Sequence, residues 1–134
     1  MAVQYSTAIR NGMLDVIESA AGASAKLKLY AGAPPANCAA AATGTLLATL
    51  SLPADYYSAA SGGTKTLLGA WTGTANADGT AGHYRILDSA EATCHEQGTI
   101  TATGGGGDIT LDNIVIAINQ VITINSKTIT AGNA

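Results

Sequence analysis

The spacing of apolar side chains changes once along this chain, and the change divides it. Over residues 7–21 apolar side chains fall at Ile9, Met13, Val16, Ile17 and Ala20, the spacing of one stripe on an α-helix. Ser6 or Thr7 is placed to cap the first turn, and Gly22 can take the left-handed conformation that ends the last. Intrinsic propensity is weak here: Gly12 costs about 1 kcal/mol relative to Ala. Arg10 near the start and Glu18 near the end both oppose the helix dipole. Packing must hold this helix.

Beyond Gly22 the period becomes two. Lys26-Leu27-Lys28-Leu29-Tyr30 alternates strictly and predicts a half-buried strand. Residues 31–44, with Pro34, Pro35 and a run of small side chains, read as a long surface loop. A second strand is expected over 45–52, with Leu46, Ala48, Leu50 and Leu52 on one face and Pro53 ending it. A third is expected over 65–71, with Leu67 or Leu68 and Trp71 as its bulk; Gly69 inside it signals a bulge or a close neighbour. Asp78-Gly79 is a hairpin signal, and 83–87 resumes the extended pattern. Segments 99–103 and 108–111 flank four consecutive glycines at 104–107, read as a flexible connection between strands. The last third, 115–118 and 121–130, is rich in Ile and Thr. Seven or eight short strands with one N-terminal helix predict an all-β (mainly) domain over 1–134, an antiparallel β-sandwich or barrel. No repeat of 20–50 residues is visible.

The segment 113–119 departs from simple alternation because Ile114, Ile116 and Ile118 share one face while Val115 and Ala117 make the other apolar too. Such a strand must be covered on both sides, either as a central core strand or by another chain, since an open one invites aggregation.

Composition narrows the function classes. Charged residues are 11% of the 134 positions and the formal net charge is −3, well below the usual quarter. The six basic residues, Arg10, Lys26, Lys28, Lys65, Arg85 and Lys127, are scattered, whereas a nucleic-acid footprint needs them clustered. The start shows no basic segment followed by an apolar one, and no apolar run approaches a membrane span, so a protein made in a cytoplasm is expected, with neither nucleic acid nor membrane as partner. Cys38 and Cys94 are too few to define a disulfide framework; a reducing cytoplasm keeps them as thiols, and one bridge in an oxidising medium stays open.

Little in the chain suits catalysis. Cys94-His95-Glu96 sets three metal-binding side chains side by side, but neighbours on a strand point to opposite faces, and no C-x-x-C or H-x-x-H spacing occurs. No serine lies in G-x-S-x-G, and Asp108 and Asp112 are ordinary turn formers. The four glycines lack the Lys-Ser/Thr and helix of a phosphate-binding loop. No enzyme, catalytic residue, metal or cofactor is therefore expected. Tyr56, Tyr57 and Trp71 offer a different chemistry, an aromatic platform for glycans, against burial in the core or at an interface.

Four segments, YSTAIRN at 5–11, GTAGHYRILDS at 79–89, GTITATGGGGDITLDN at 98–113 and INSKTITAGNA at 124–134, resemble a family of small virion proteins of tailed bacteriophages, within which the best placement is the capsid cement or decoration proteins of short-tailed phages of the Bordetella podophage type. The resemblance spans nearly the whole chain and implies a jelly-roll protein that dimerises or otherwise self-associates on the capsid exterior and binds the major capsid protein. It supplies no catalytic residues. On that reading Tyr5, Ile9, Ile114, Ile116 and Ile118 are expected at contacts. The alternatives are a glycan-binding module of a tail fibre or adhesin using Tyr56, Tyr57 and Trp71, and a head–tail or tail-tube subunit.

Overall fold

A computed structural model describes residues 3–131; the outermost residues of the 1–134 domain and of the 124–134 segment lie outside that range. Among the described residues one helix, α1 (Thr7–Ala21), precedes ten strands: β1 (Lys26–Ala31), β2 (Leu46–Ser51), β3 (Thr64–Thr66), β4 (Trp71–Thr74), β5 (Gly79–Leu87), β6 (Cys94–Ala102), β7 (Ile109–Leu111), β8 (Val115–Ile116), β9 (Val121–Ile124) and β10 (Thr128–Thr130). The protein is mainly β with one N-terminal helix, as the change of period predicts. The strands are more numerous than expected, and while several are short, β5 and β6 run to nine residues each.

The helix spans the expected residues. Ser6 Oγ accepts from Ile9 N at 3.3 Å, and Gly22, at φ 77°, returns its N–H to Glu18 O at 2.9 Å. The main sheet runs β2-β1-β5-β6-β7, with β8 paired to the start of β5. Two ribbons, β3–β10 and β4–β9, complete the body. Alternation in β1 works as the sequence indicates: Leu27 and Leu29 are buried and Lys26 and Lys28 only half so. The central strand β5 buries His83, Tyr84, Arg85 and Ile86 in succession, because the core covers one face and residues 32–45 strap the other. The core gathers Leu27, Leu29, Leu50, Tyr56, Tyr57, Trp71, Tyr84, Ile86, Ile116 and Ile124 from nearly every strand.

Three expectations need correction. The sheet is mixed rather than antiparallel, since β7 runs parallel to β6 with Ile100 opposite Ile109. A parallel return commonly takes a dozen residues or more; here the six at 103–108 suffice. Gly104 and Gly106 have φ of 89° and 79°, and a Cβ on Gly105 or Gly107 would lie 2.8 Å from Thr101. The loop folds directly onto Thr101, whose hydroxyl accepts from Gly107 N at 2.9 Å.

The single strand expected over 65–71 is two. Gly69, at φ 76° and packed so that a Cβ would sit 2.9 Å from Pro53, diverts the chain from the β3–β10 ribbon to the β4–β9 ribbon. The close neighbour it signals is real, but the strand breaks there. The Asp78-Gly79 hairpin also does not form, because β4 pairs with β9 and not with β5. Asp78 Oδ1 accepts from Ile118 N instead.

Candidate interaction surface

The helix docks on the body by its polar side. Arg10 Nε donates to Ala131 O at 2.6 Å, and Asn11 Oδ1 accepts from Gly63 N at 2.8 Å. Asp15 Oδ1 accepts from Lys65 Nζ at 2.9 Å and from Ala60 N at 3.1 Å. Glu18 spreads its carboxylate over Tyr56 N at 2.8 Å, Tyr57 N at 3.3 Å and Lys65 Nζ at 3.4 Å. The hydrogen bond from Lys65, then that from Ala60, holds the Asp15 carboxyl below its ordinary range. Leu14 and Ala21 are the helix residues buried beside these bonds, with Ile17 partly buried.

Every charged side chain of the helix is therefore committed to the body, and the opposite face carries none. That face is the stripe expected to need packing: Ile9 and Met13 are each 52% exposed and Val16 60%. Tyr5 extends the row one turn earlier, and Ala20 ends it, both exposed. Gly12, Ala8 and Ser19 flank the row with small side chains. A fifteen-residue helix is about 22 Å long, so the stripe is a narrow, uncharged ridge on an otherwise satisfied helix.

A second apolar patch forms where β8 turns into β9. Val115, Ile118 and Val121 are exposed, and side chains fix the turn beneath them. Asn113 Oδ1 accepts from Val115 N at 3.0 Å, Gln120 Oε1 from Ala117 N at 2.9 Å and Asp78 Oδ1 from Ile118 N at 2.6 Å. Asn119 takes a φ of 69° and donates to Ala75 O at 2.9 Å. The apolar tips thus stand on a rigid turn.

The five expected contact residues divide. Tyr5, Ile9 and Ile118 are exposed; Ile114 is half-buried and packs on the core; Ile116 is 2% exposed and belongs to the core. Within the two-faced strand Ile116 turns inward, as a core strand requires, and Val115 outward. Met13, Val16, Val115 and Val121, outside the expected contact set, are exposed as well. For the helix pair the available signal was the placement of Arg10, Asp15 and Glu18 opposite the stripe.

The aromatic platform is corrected outright. Tyr56, Tyr57 and Trp71 are at most 1% exposed and pack on one another at tilted and edge-on angles, with ring centroids 5.2–6.1 Å apart. Trp71 Nε1 donates to Tyr56 O and Leu68 O, each at 3.2 Å. No face of these rings is offered to a sugar.

Cys94-His95-Glu96 opens β6, where a register shift sets Leu87 opposite Cys94 and Ile86 opposite Glu96, so that Cys94 and Glu96, which simple alternation would place on one face, lie on opposite faces. The Cys94 thiol donates to Glu96 O at 3.3 Å. The Glu96 carboxylate points inward, accepting from Tyr57 Oη at 3.0 Å, Tyr84 Oη at 2.6 Å and Lys127 Nζ at 2.8 Å. Burial, then the Glu96 charge, raises both phenols far above their ordinary range. Asp108 and Asp112 serve the glycine loop: Asp108 Oδ2 accepts from Thr99 N at 2.9 Å, and Asp112 Oδ1 from Thr103 Oγ1 at 3.3 Å. Compared with known proteins, the chain matches no family, no curated protein and no solved structure.

Proposed function

We propose that this protein is a non-enzymatic cement or decoration protein of a tailed-phage capsid, seated on the outer shell and bridging major capsid protein subunits. The observation that carries the reading is the helix whose charges all turn inward while Tyr5, Ile9, Met13 and Val16 face out. A solvated helix would place those residues the other way round. Facing out, they suit a surface that another protein covers. A cement protein works as many copies of one module, each held by a modest apolar contact, with avidity rather than one deep pocket providing retention. The rigid Val115–Ile118–Val121 turn supplies a second contact, so that one copy can touch two neighbours.

On this reading the partners are the major capsid protein and further copies of the same chain, and the localisation is the virion exterior. The main sheet and the two ribbons are read as the two layers of a jelly-roll-like sandwich. The sequence resemblance points to the phage shell; the exposed ridge supports a docking protein.

The test is the copy number and position of the chain in purified virions, by quantitative gel densitometry and cryo-electron microscopy. Hundreds of copies on the shell are expected. A dozen or fewer at the tail or portal would overturn the cement reading in favour of a head–tail or fibre subunit.

A further inference from the structure

The strap at 32–45 is held to the sheet from below by three side chains. His83 Nδ1 donates to Gly32 O at 2.8 Å, Gln97 Nε2 to Pro35 O at 2.8 Å, and Arg85 Nη2 to Cys38 O at 2.8 Å and Ala40 O at 2.9 Å. His83 and Arg85 lie two apart on β5, and Gln97 is opposite Arg85 on β6, so all three rise from one face of the sheet. Leu87 follows two residues beyond Arg85 on that face, and its partner on β6 is Cys94. The Arg85 grip therefore sets Cys38 over the place where Cys94 emerges. Both cysteines line one pocket of about 250 Å³ with Ala40, Ala92, Arg85 and Leu87. Both are half-buried thiols within reach of solvent. Burial, then the neighbouring Cys94, pushes the Cys38 thiol up to about 11.

We propose that Cys38 and Cys94 form an intramolecular disulfide on meeting an oxidant of the low-molecular-weight disulfide class, such as oxidised glutathione, locking the strap onto the sheet. One protein thiolate attacks a glutathione sulfur and expels glutathione thiolate. The second protein thiolate then attacks the protein sulfur of the mixed disulfide and expels the glutathione bound there. The two protein thiols are oxidised to one S–S bond, the glutathione disulfide is reduced to two thiols, and the two protons end on them. Burial of Cys38 disfavours its thiolate, so the exchange runs faster at mildly alkaline pH than at neutral pH. The bond closes a loop of about 57 residues and so removes much freedom from the unfolded chain. This inference does not depend on the capsid reading.

The experiment treats the purified full chain with oxidised glutathione at mildly alkaline pH and follows intact mass under denaturing, non-reducing conditions, free-thiol titration and thermal unfolding. Expected are a monomer lighter by two hydrogens, no remaining thiol, and a melting temperature raised by about 5–15 °C, reversed by reductant. The Cys38→Ser and Cys94→Ser variants should each end instead as a single glutathione adduct on the remaining cysteine. Retained thiols, a stable adduct on the unaltered chain, or a disulfide-linked dimer would overturn the proposal. A lowered melting temperature in the cross-linked monomer would overturn it equally, since the sulfurs would then meet only by distorting the fold.

Discussion

Glu96 serves three donors that arrive from distant parts of the chain, the phenols of Tyr57 and Tyr84 and the ammonium of Lys127. Lys127 also lies 5.7 Å and 5.2 Å above the same two rings. Its side chain is almost wholly buried, so its charge depends on Glu96 for compensation. Removing one member of such a pair is costlier than removing both, because the survivor is left charged in a poor solvent. Glu96→Gln should destabilise the protein by about 3–5 kcal/mol, and Lys127→Met by less, about 1–3 kcal/mol, because two phenols still donate to the carboxylate. The double variant should cost clearly less than the sum of the two in urea unfolding. Strict additivity would show that the ion pair is uncoupled and the account of the cluster wrong. None of this was legible at Cys94-His95-Glu96, where only the local string was visible. The partners of Glu96 lie 39, 12 and 31 positions away, and a residue's burial is decided by what folds over it.

At the scale of the elements, boundaries were more legible than orientations. The switch of period at Gly22 located α1 and β1 because caps and alternation are local chemistry. Which face of α1 packs was not local. A stripe of Ile9, Met13 and Val16 ordinarily faces the core, yet Asp15 and Glu18 find Lys65 and free backbone N–H groups on the body, and the ridge is left outside. The parallel β6–β7 pair was hidden for a related reason: four glycines announce a turn but do not say in which direction the chain leaves it. Met13→Lys or Val16→Lys should accordingly change stability by no more than about 0.5 kcal/mol, while Leu14→Ala, at the buried side of the same helix, should cost about 2–5 kcal/mol. Ile116→Lys should prevent folding while Val115→Lys, one residue earlier, leaves the fold intact. Circular dichroism and urea midpoints separate these outcomes. Loss of folding in Val16→Lys, or a folded Ile116→Lys, would show that the inside and outside of these elements have been exchanged.

Over the described residues, most charged side chains are tied to partners within the chain. All six basic side chains have partners within the chain: Arg10 with Ala131 O, Lys26 with Ser51, Lys28 with Glu91, Lys65 with Asp15 and Glu18, Arg85 with the strap, and Lys127 with Glu96. Asp78, Asp88, Asp108 and Asp112 are likewise occupied by backbone or hydroxyl donors. A low share of charged residues was evident in the composition, but that the few present are spent on the fold itself was not, because it depends on pairs brought together from distant segments. If the apolar ridge and the β8–β9 turn are what bind a shell, long-range electrostatics has little part in docking, and screening has little to act on. Binding of the purified protein to shells stripped of it, followed by co-sedimentation, should therefore be nearly unchanged from low salt to several times physiological ionic strength. It should tighten in sulfate and weaken on cooling, the signature of apolar burial. Met13→Lys and Val16→Lys should lower occupancy at every salt concentration without changing the flatness of the curve. A steep loss of binding with added salt would mean that charged side chains carry the contact, and the uncharged ridge would no longer be the docking surface.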